Sequence, residues 1–103
     1  MKNKQYAYCV ILFDGRGKHK VLSGLFLNQE DALDAIKSKY SYVVHENYYE
    51  YLCIEKYTLN TLGYPCLVKK EDRQPIKWFR WKNESYSEID EIPEWARHTF
   101  GFL

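Results

Sequence analysis

The chain has 103 residues and a formal net charge of +1, with 46% hydrophobic and 28% charged residues. This length gives room for a single domain over residues 1–103, and the average composition excludes a disordered chain. The near-neutral charge excludes a bulk basic field that would demand nucleic acid as the partner. Aromatic residues stand out at 17%, with ten tyrosines and three tryptophans. Such side chains suit both a small core and an interface.

Compartment and redox state follow from what the sequence lacks. Its longest apolar run, residues 9–13, is far below the ~20 residues of a membrane span, and no signal-peptide pattern follows the polar start. The three cysteines, Cys9, Cys53 and Cys66, are an odd number without a C-x-x-C unit. We therefore expect reduced thiols in a cytoplasmic protein that does not contact a membrane.

The first two predicted strands form a hairpin. Residues 5–13 are apolar on both alternating faces, which is typical of a central strand covered on both sides. Asp14-Gly15 is a turn signal, and residues 20–26 predict an antiparallel second strand. Gly24 in the middle of that strand predicts a bulge or a close packing approach. The hairpin tip is basic, with Arg16, Lys18, His19 and Lys20.

The next element is a predicted helix over residues 29–41. Asn28 is a favourable N-cap, and Asp31 at the third helical position makes a weak capping box with it. The apolar residues that follow recur at spacings of three and four, which places them on one helical face. They are Ala32, Leu33, Ile36 and Tyr40.

Residues 48–59 predict a long third strand with a tyrosine-rich face. One alternating set on this strand contains Tyr49, Tyr51, Cys53, Glu55 and Tyr57. The helix can cover only one face of the sheet. The tyrosine face is therefore either covered by the C-terminal segment or free as a binding platform.

The C-terminal third predicts a second hairpin from residues 66–70 and 76–82 around a turn at 71–75. The acidic stretch 84–94 is expected to be solvated surface, or to pair with the basic hairpin or with a basic partner. Pro93 suits the first position of a short helix. The predicted fold class is therefore α+β, with a β-β-α-β start, a C-terminal hairpin, one main helix on one face and a Trp-rich C-terminal segment on the other.

Catalytic and metal-binding patterns are weak. Gly15-Arg16-Gly17-Lys18 has the wrong spacing for a phosphate loop and precedes a strand. The histidines are scattered, which argues against a metal site. Cys9 and Cys53 lie inside strands, so only Cys66 is an accessible thiol candidate. We expect no catalytic residue, no metal site, no cofactor and no enzymatic activity.

The strongest interaction candidate is the segment 77–82, where basic and aromatic residues alternate. It fits a protein hot spot, a surface that stacks bases, or an edge strand whose tryptophans fill the core. Together with the tyrosine face and the basic tip it gives the predicted partner-binding set. That set is Trp78, Arg80, Trp81, Tyr49, Tyr51, Tyr57, Arg16, Lys18 and Lys20.

The function predicted from these features is a non-enzymatic protein-binding module. Its size and lack of recognisable chemistry fit a small inhibitor, immunity or adaptor protein of the kind mobile elements encode. Homodimerisation through an exposed sheet edge or the tyrosine face is a variant of this prediction. The alternative is a single-stranded nucleic-acid-binding protein that uses aromatic stacking and the basic hairpin tip.

Overall fold

A computed structural model describes residues 5–38, 49–59, 73–83 and 85–96. In these ranges five strands form one antiparallel sheet, in the spatial order β2-β1-β3-β4-β5. The strands are β1 Tyr6–Phe13, β2 Lys20–Phe26, β3 Tyr51–Thr58, β4 Arg73–Lys82 and β5 Ser85–Ile89, with the helix α1 Gln29–Ser38 between β2 and β3. The predicted α+β class is confirmed.

β1 lies inside the sheet and pairs with β2 on one side and with β3 on the other. Its two apolar sets separate as predicted. Val10 and Leu12 face α1, together with Leu52 and Ile54 of β3 and with other buried residues. We call this side of the sheet the helix face. Cys9, Ile11 and Phe13 lie on the other side with Cys53 and Trp78, and we call that side the opposite face. The prediction of a central strand buried on both faces is confirmed.

β2 forms an edge of the sheet and contains the bulge predicted from Gly24. Val10 lies across from Gly24 and Ile11 across from Leu22, so Ser23 is the extra residue in β2. A bulge of this kind bends an edge strand and interrupts its ladder. Most of β2 is exposed to solvent.

α1 begins with the predicted cap. The backbone N–H of Asp31 donates to Oδ1 of Asn28 at 2.9 Å, and Nδ2 of Asn28 donates to Oδ2 of Asp31 at 3.0 Å. The first bond satisfies one of the N–H groups that a helix start leaves free. The second joins the two side chains, whereas a capping box would place the Asp31 carboxylate on the backbone N–H of Asn28. Ala32, Ala35 and Ile36 are buried against the helix face of the sheet. The described helix ends at Ser38, and residues 39–41 of the predicted helix lie outside the described ranges.

The second half of the sheet corrects the sequence prediction. β3 begins at Tyr51, and Tyr48 of the predicted strand lies outside the described ranges. The turn predicted at 71–75 is wrong, because residues 73–75 already belong to β4. The predicted strand 66–70 lies outside the described ranges. The hairpin partner that the structure shows for β4 is β5.

β5 arises from the acidic stretch 84–94, for which solvated surface, pairing with the basic hairpin and pairing with a basic partner were the predicted alternatives, and it pairs with β4. Two of its residues explain this. Tyr86 packs on the helix-face core and Ile89 on the opposite-face core, while the strand's serines and Glu88 stay exposed. Asn83 in the preceding turn has φ 56°, a conformation that asparagine tolerates better than most residues.

The short helix predicted at Pro93 is a single 3₁₀ turn over Glu94–Ala96. The N–H of Ala96 donates to the Pro93 carbonyl at 2.9 Å. Ala96 is buried on the opposite face. No helix in the part of the chain that the structure describes is long and apolar enough to cross a membrane.

Candidate partner-binding site

The basic tip of the β1–β2 hairpin is organised by Asp14. Its Oδ1 accepts hydrogen bonds from the backbone N–H of Arg16 at 3.1 Å and of Lys18 at 2.9 Å. Desolvation raises the pKa of Asp14, but the backbone hydrogen bonds from Lys18, His19 and Arg16 together outweigh it and hold the pKa below its usual value. The charged ends of Arg16 and Lys18 remain exposed.

The same hairpin tip packs against the 3₁₀ turn through Gly17. Gly17 has φ 71°, in the left-handed region that favours glycine. A β-carbon at this position would lie 2.4 Å from Cδ2 of Trp95. The indole therefore occupies the space that any other residue's side chain would need.

Trp95 belongs to an aromatic cluster at this end of the opposite face. Its ring centroid lies 5.2 Å from Phe13, 5.8 Å from Trp78 and 5.9 Å from Tyr51. The contacts with Trp78 and Tyr51 are edge-on, a favourable arrangement for aromatic rings. This cluster fixes the position of Tyr51, whose ring borders the cleft described next.

A cleft of about 510 Å³ opens beside this cluster, between the ends of β3 and β4 and the segment after β5. Tyr51 and Arg80 line one side, and they lie directly across from each other in the β3–β4 register. Most of the remaining lining comes from the segment after β5. The lining residues are Tyr51, Arg80, Ile89, Asp90, Glu91, Ile92, Pro93 and Glu94.

Arg80 is held above Tyr51 by its neighbours. Its guanidinium carbon lies 5.7 Å from the Tyr51 ring centroid, and its Nη2 lies 3.0 Å from Oε2 of Glu50. Burial raises the pKa of Tyr51, the Arg80 cation opposes this, and the Glu50 carboxylate raises it further. Tyr51 is therefore a neutral hydroxyl at pH 7. Because the Arg80–Glu50 pair is largely exposed, it positions Arg80 more than it stabilises the fold.

The structure brings only part of the predicted partner-binding set together. Tyr51 and Arg80 meet in the cleft, and the tip residues Arg16 and Lys18 belong to the hairpin whose Gly17 contacts Trp95. Trp78 is buried below them at 5% exposure, so its ring face is not available to a partner. Its burial fits the expected alternative in which tryptophans of this strand fill the core, but the edge position expected in that alternative is wrong, because β4 lies between β3 and β5.

The other predicted residues lie elsewhere. Lys20 pairs with Phe13 at the start of β2, and Tyr57 packs on the opposite-face core away from the cleft. The prediction that Tyr49 shares a face with Tyr51 is wrong, since Tyr49 precedes β3 and packs on the helix-face core. The ring centroids of Trp81 and Tyr86 lie 5.0 Å apart. The Tyr86 hydroxyl donates a hydrogen bond to the Tyr49 carbonyl at 2.7 Å.

Sequence reasoning missed several residues of the cleft. Ile92 lines the cleft and Glu50 pairs with Arg80, but neither carries a local pattern that marks it as a site residue. The carboxylates Asp90, Glu91 and Glu94 belong to a stretch expected to be solvated surface, although pairing with a basic partner was one of its predicted alternatives. The high density of negative charge in this stretch was the signal that could have marked these carboxylates as site residues.

Comparison with known proteins adds no assignment. No protein-family model, curated protein or solved structure matches this chain. Among the residues that the structure describes, no three His, Cys, Asp or Glu side chains lie close enough together to hold a metal ion.

The two described cysteines, Cys9 and Cys53, are buried thiols outside any disulfide. Burial, and secondarily the Glu55 carboxylate, raise the pKa of the Cys53 thiol, which makes it a poor nucleophile. Cys66, the accessible thiol candidate, lies outside the described ranges.

The Cys53 thiol predicts a loss of stability in alkali. In the unfolded chain it ionises near its usual pKa of 9.0, while in the folded chain it stays protonated. Stability from this thiol is thus complete below pH 9 and is lost as pH rises, by about 1.4 kcal/mol per pH unit. Urea unfolding at pH 8 to 10 should show a steeper decline for the wild type than for Cys53→Ala. Parallel declines would contradict the assignment.

Proposed function

We propose that this protein is a non-enzymatic protein-binding module and that the cleft beside Tyr51 and Arg80 receives a basic side chain of its partner. The observation that carries the proposal is the composition of the cleft. A tyrosine ring and an arginine stand side by side on rigid strands, and tyrosine and arginine are over-represented among residues that dominate binding energy. Three carboxylates, Asp90, Glu91 and Glu94, complete the lining.

The charge of the cleft selects the chemistry of the partner. The single guanidinium of Arg80 already has a counter-ion in Glu50, whereas the three lining carboxylates create a negative potential. A lysine or arginine entering the cleft would pair with these carboxylates and lie against the Tyr51 ring. A volume of about 510 Å³ suits one long side chain with a short stretch of its backbone.

The same charge argues against the nucleic-acid alternative at this site. Exposed Arg16 and Lys18 favour phosphate contacts, but phosphates bound at the hairpin tip would approach the carboxylates of the neighbouring cleft.

The packing of Trp95 on Tyr51 and Phe13 supports a further part of the proposal, namely that the Trp-rich C-terminal segment is a cover of the opposite face and not a stacking platform. An inhibitor, immunity or adaptor role is compatible with this mode of binding.

The test is affinity capture from host lysate with three baits, each with and without nuclease. They are the wild type, the cleft variant Glu91→Lys with Glu94→Lys, and the control Glu88→Lys. Glu88 lies on the helix face outside the cleft, where it forms an exposed ion pair with Lys77 at 3.2 Å. We expect one protein to be recovered by the wild type and the control, and lost at least tenfold with the cleft variant. Equal recovery by all three baits, or recovery that nuclease abolishes, would refute the proposal.

A further inference from the structure

The exposed apolar residues of the described chain concentrate on one edge of the sheet. Four of the five large exposed apolar side chains lie on β2 or directly after it, and Leu25 and Leu27 are 65% and 79% exposed. The other two are Val21 and Leu22. Unpaired backbone groups and apolar side chains on an edge strand are a template for another chain.

The charges at the two ends of β2 are opposite in sign. Exposed Lys18 and Lys20 stand at its start, and exposed Glu30 and Asp31 stand just beyond its end in the first turn of α1. If a second β2 lies antiparallel to the first, the basic end of each copy meets the acidic end of the other. The surface is thus complementary to itself under a two-fold rotation, as the interface of a closed dimer must be.

The bulge at Ser23 reinforces this symmetry. Leu22 pairs with Ile11 and Leu25 with Cys9, so the bulge places both leucines on the opposite face. A two-fold axis perpendicular to the sheet keeps each face on its own side. Two leucines from each copy then meet near the axis, which passes close to Ser23. Because the bulge limits a continuous ladder between the copies, these leucines and the end charges supply most of the contact.

We infer that a second copy of this chain occupies the β2 edge and forms an antiparallel, two-fold symmetric dimer. The β5 edge does not offer the same match, since its outward residues are serines and Glu88. Pairing of β2 with β5 would also be head-to-tail and would leave edges open for further addition. This inference does not depend on the cleft proposal, because none of the residues that line the cleft lies on β2.

Analytical ultracentrifugation of the full chain over a range of concentrations tests the inference. We expect the mass to rise from 12.4 kDa towards twice that value. Leu25→Lys should weaken the dimer about a hundredfold, because the symmetry makes each substitution act twice and each buried leucine is worth about tenfold. The matched control Ser85→Lys, on the β5 edge, should leave the dimer unchanged. A wild type that stays monomeric up to its solubility limit would overturn the inference.

Charge reversal tests the antiparallel geometry. Lys18→Glu with Lys20→Glu gives a chain acidic at both ends of β2, and Glu30→Lys weakens the acidic end in a second chain, while Asp31 is kept for its bond to Asn28. The Lys18→Glu, Lys20→Glu variant alone should be monomeric, the Glu30→Lys variant alone should dimerise more weakly than the wild type, and their mixture should form a heterodimer. This recovery also shows that both variants are folded. A mixture that remains monomeric, or a Lys18→Glu, Lys20→Glu variant that dimerises like the wild type, would exclude the proposed arrangement.

Discussion

Replacing Phe13 with alanine is expected to lower the free energy of unfolding by about 3–5 kcal/mol. Phe13 is 1% exposed and belongs to the aromatic cluster. Its ring centroid lies 5.6 Å from that of Trp78 and 5.2 Å from that of Trp95. The substitution would leave a cavity bordered by two large rigid rings, which cannot collapse into the space without losing their contacts with each other. Urea unfolding followed by circular dichroism measures the effect.

Phe26→Ala is the matched control for this substitution. Phe26 is only partly buried and lies on the edge strand β2, so its loss should cost less than half as much. A double-mutant cycle with Phe13→Leu and Trp95→Leu should give a coupling of about 0.5–1.5 kcal/mol, the contribution of the ring contact beyond burial. Equal costs for Phe13→Ala and Phe26→Ala would mean that the aromatic cluster is not the stabilising centre of the opposite face.

The elements predicted correctly from the sequence are those whose signals are local. β1 is apolar on both alternating faces, and this reflects its position inside the sheet. α1 is marked by Asn28 and Asp31, which form the cap in the structure, and by apolar residues at helical spacing. Gly24 similarly marks the bulge in β2, because a glycine inside a strand has few other causes.

The elements predicted wrongly depend on weak or non-local signals. β5 has only two apolar residues that pack on a core, Tyr86 and Ile89, and they are three positions apart and lie on different faces, so the strand shows no apolar alternation. Tyr49 shares alternation with Tyr51 in the sequence, but alternation holds only inside a strand, and β3 begins after Tyr49. Trp81 also lies on the helix face. Trp78 packs on the opposite face and Phe79 on the helix face, so alternation along β4 gives Trp81 the same face as Phe79.

The cleft could not be predicted because it requires residues far apart in the chain. Tyr51 and Arg80 were each named as candidates for their chemistry. Their contact depends on the β3–β4 register, which places them directly opposite one another. The β3–β4 pairing also shifts by one residue further along, because Ile54 lies across from Lys77 whereas Glu55 lies across from Pro75. No property of the local sequence fixes either position.

Stability and the proposed binding site share the same residues at this end of the sheet. Trp95 contacts Phe13 in the core and Tyr51 at the cleft wall, and its indole packs on the hairpin tip at Gly17. The cleft-lining residues 90–94 directly precede Trp95 in the chain. The packing of Trp95 therefore holds this segment against the sheet. A change that displaces Trp95 is therefore expected to weaken both folding and partner binding, whereas a charge change in the lining should affect binding alone.

Gly17→Ala tests the link between the hairpin tip and Trp95 and should lower the free energy of unfolding by about 2–4 kcal/mol. About 1–2 kcal/mol comes from holding alanine at φ 71°. The remainder comes from moving the Trp95 ring away from a β-carbon that would otherwise lie 2.4 Å from it. Urea unfolding gives the total, and a red shift of tryptophan fluorescence in the folded state reports the displacement of the ring.

The control Gly15→Ala separates this effect from a general intolerance of the turn. A β-carbon at Gly15 would lie 2.9 Å from Oε1 of Glu50, which is the far end of a flexible side chain that can move at little cost, so we expect a loss below about 1 kcal/mol. The two parts of the Gly17 effect separate in a Trp95→Ala background, where only the backbone cost of about 1–2 kcal/mol should remain. If Gly17→Ala costs as much without the indole as with it, the contact between the tip and Trp95 does not hold the hairpin in place.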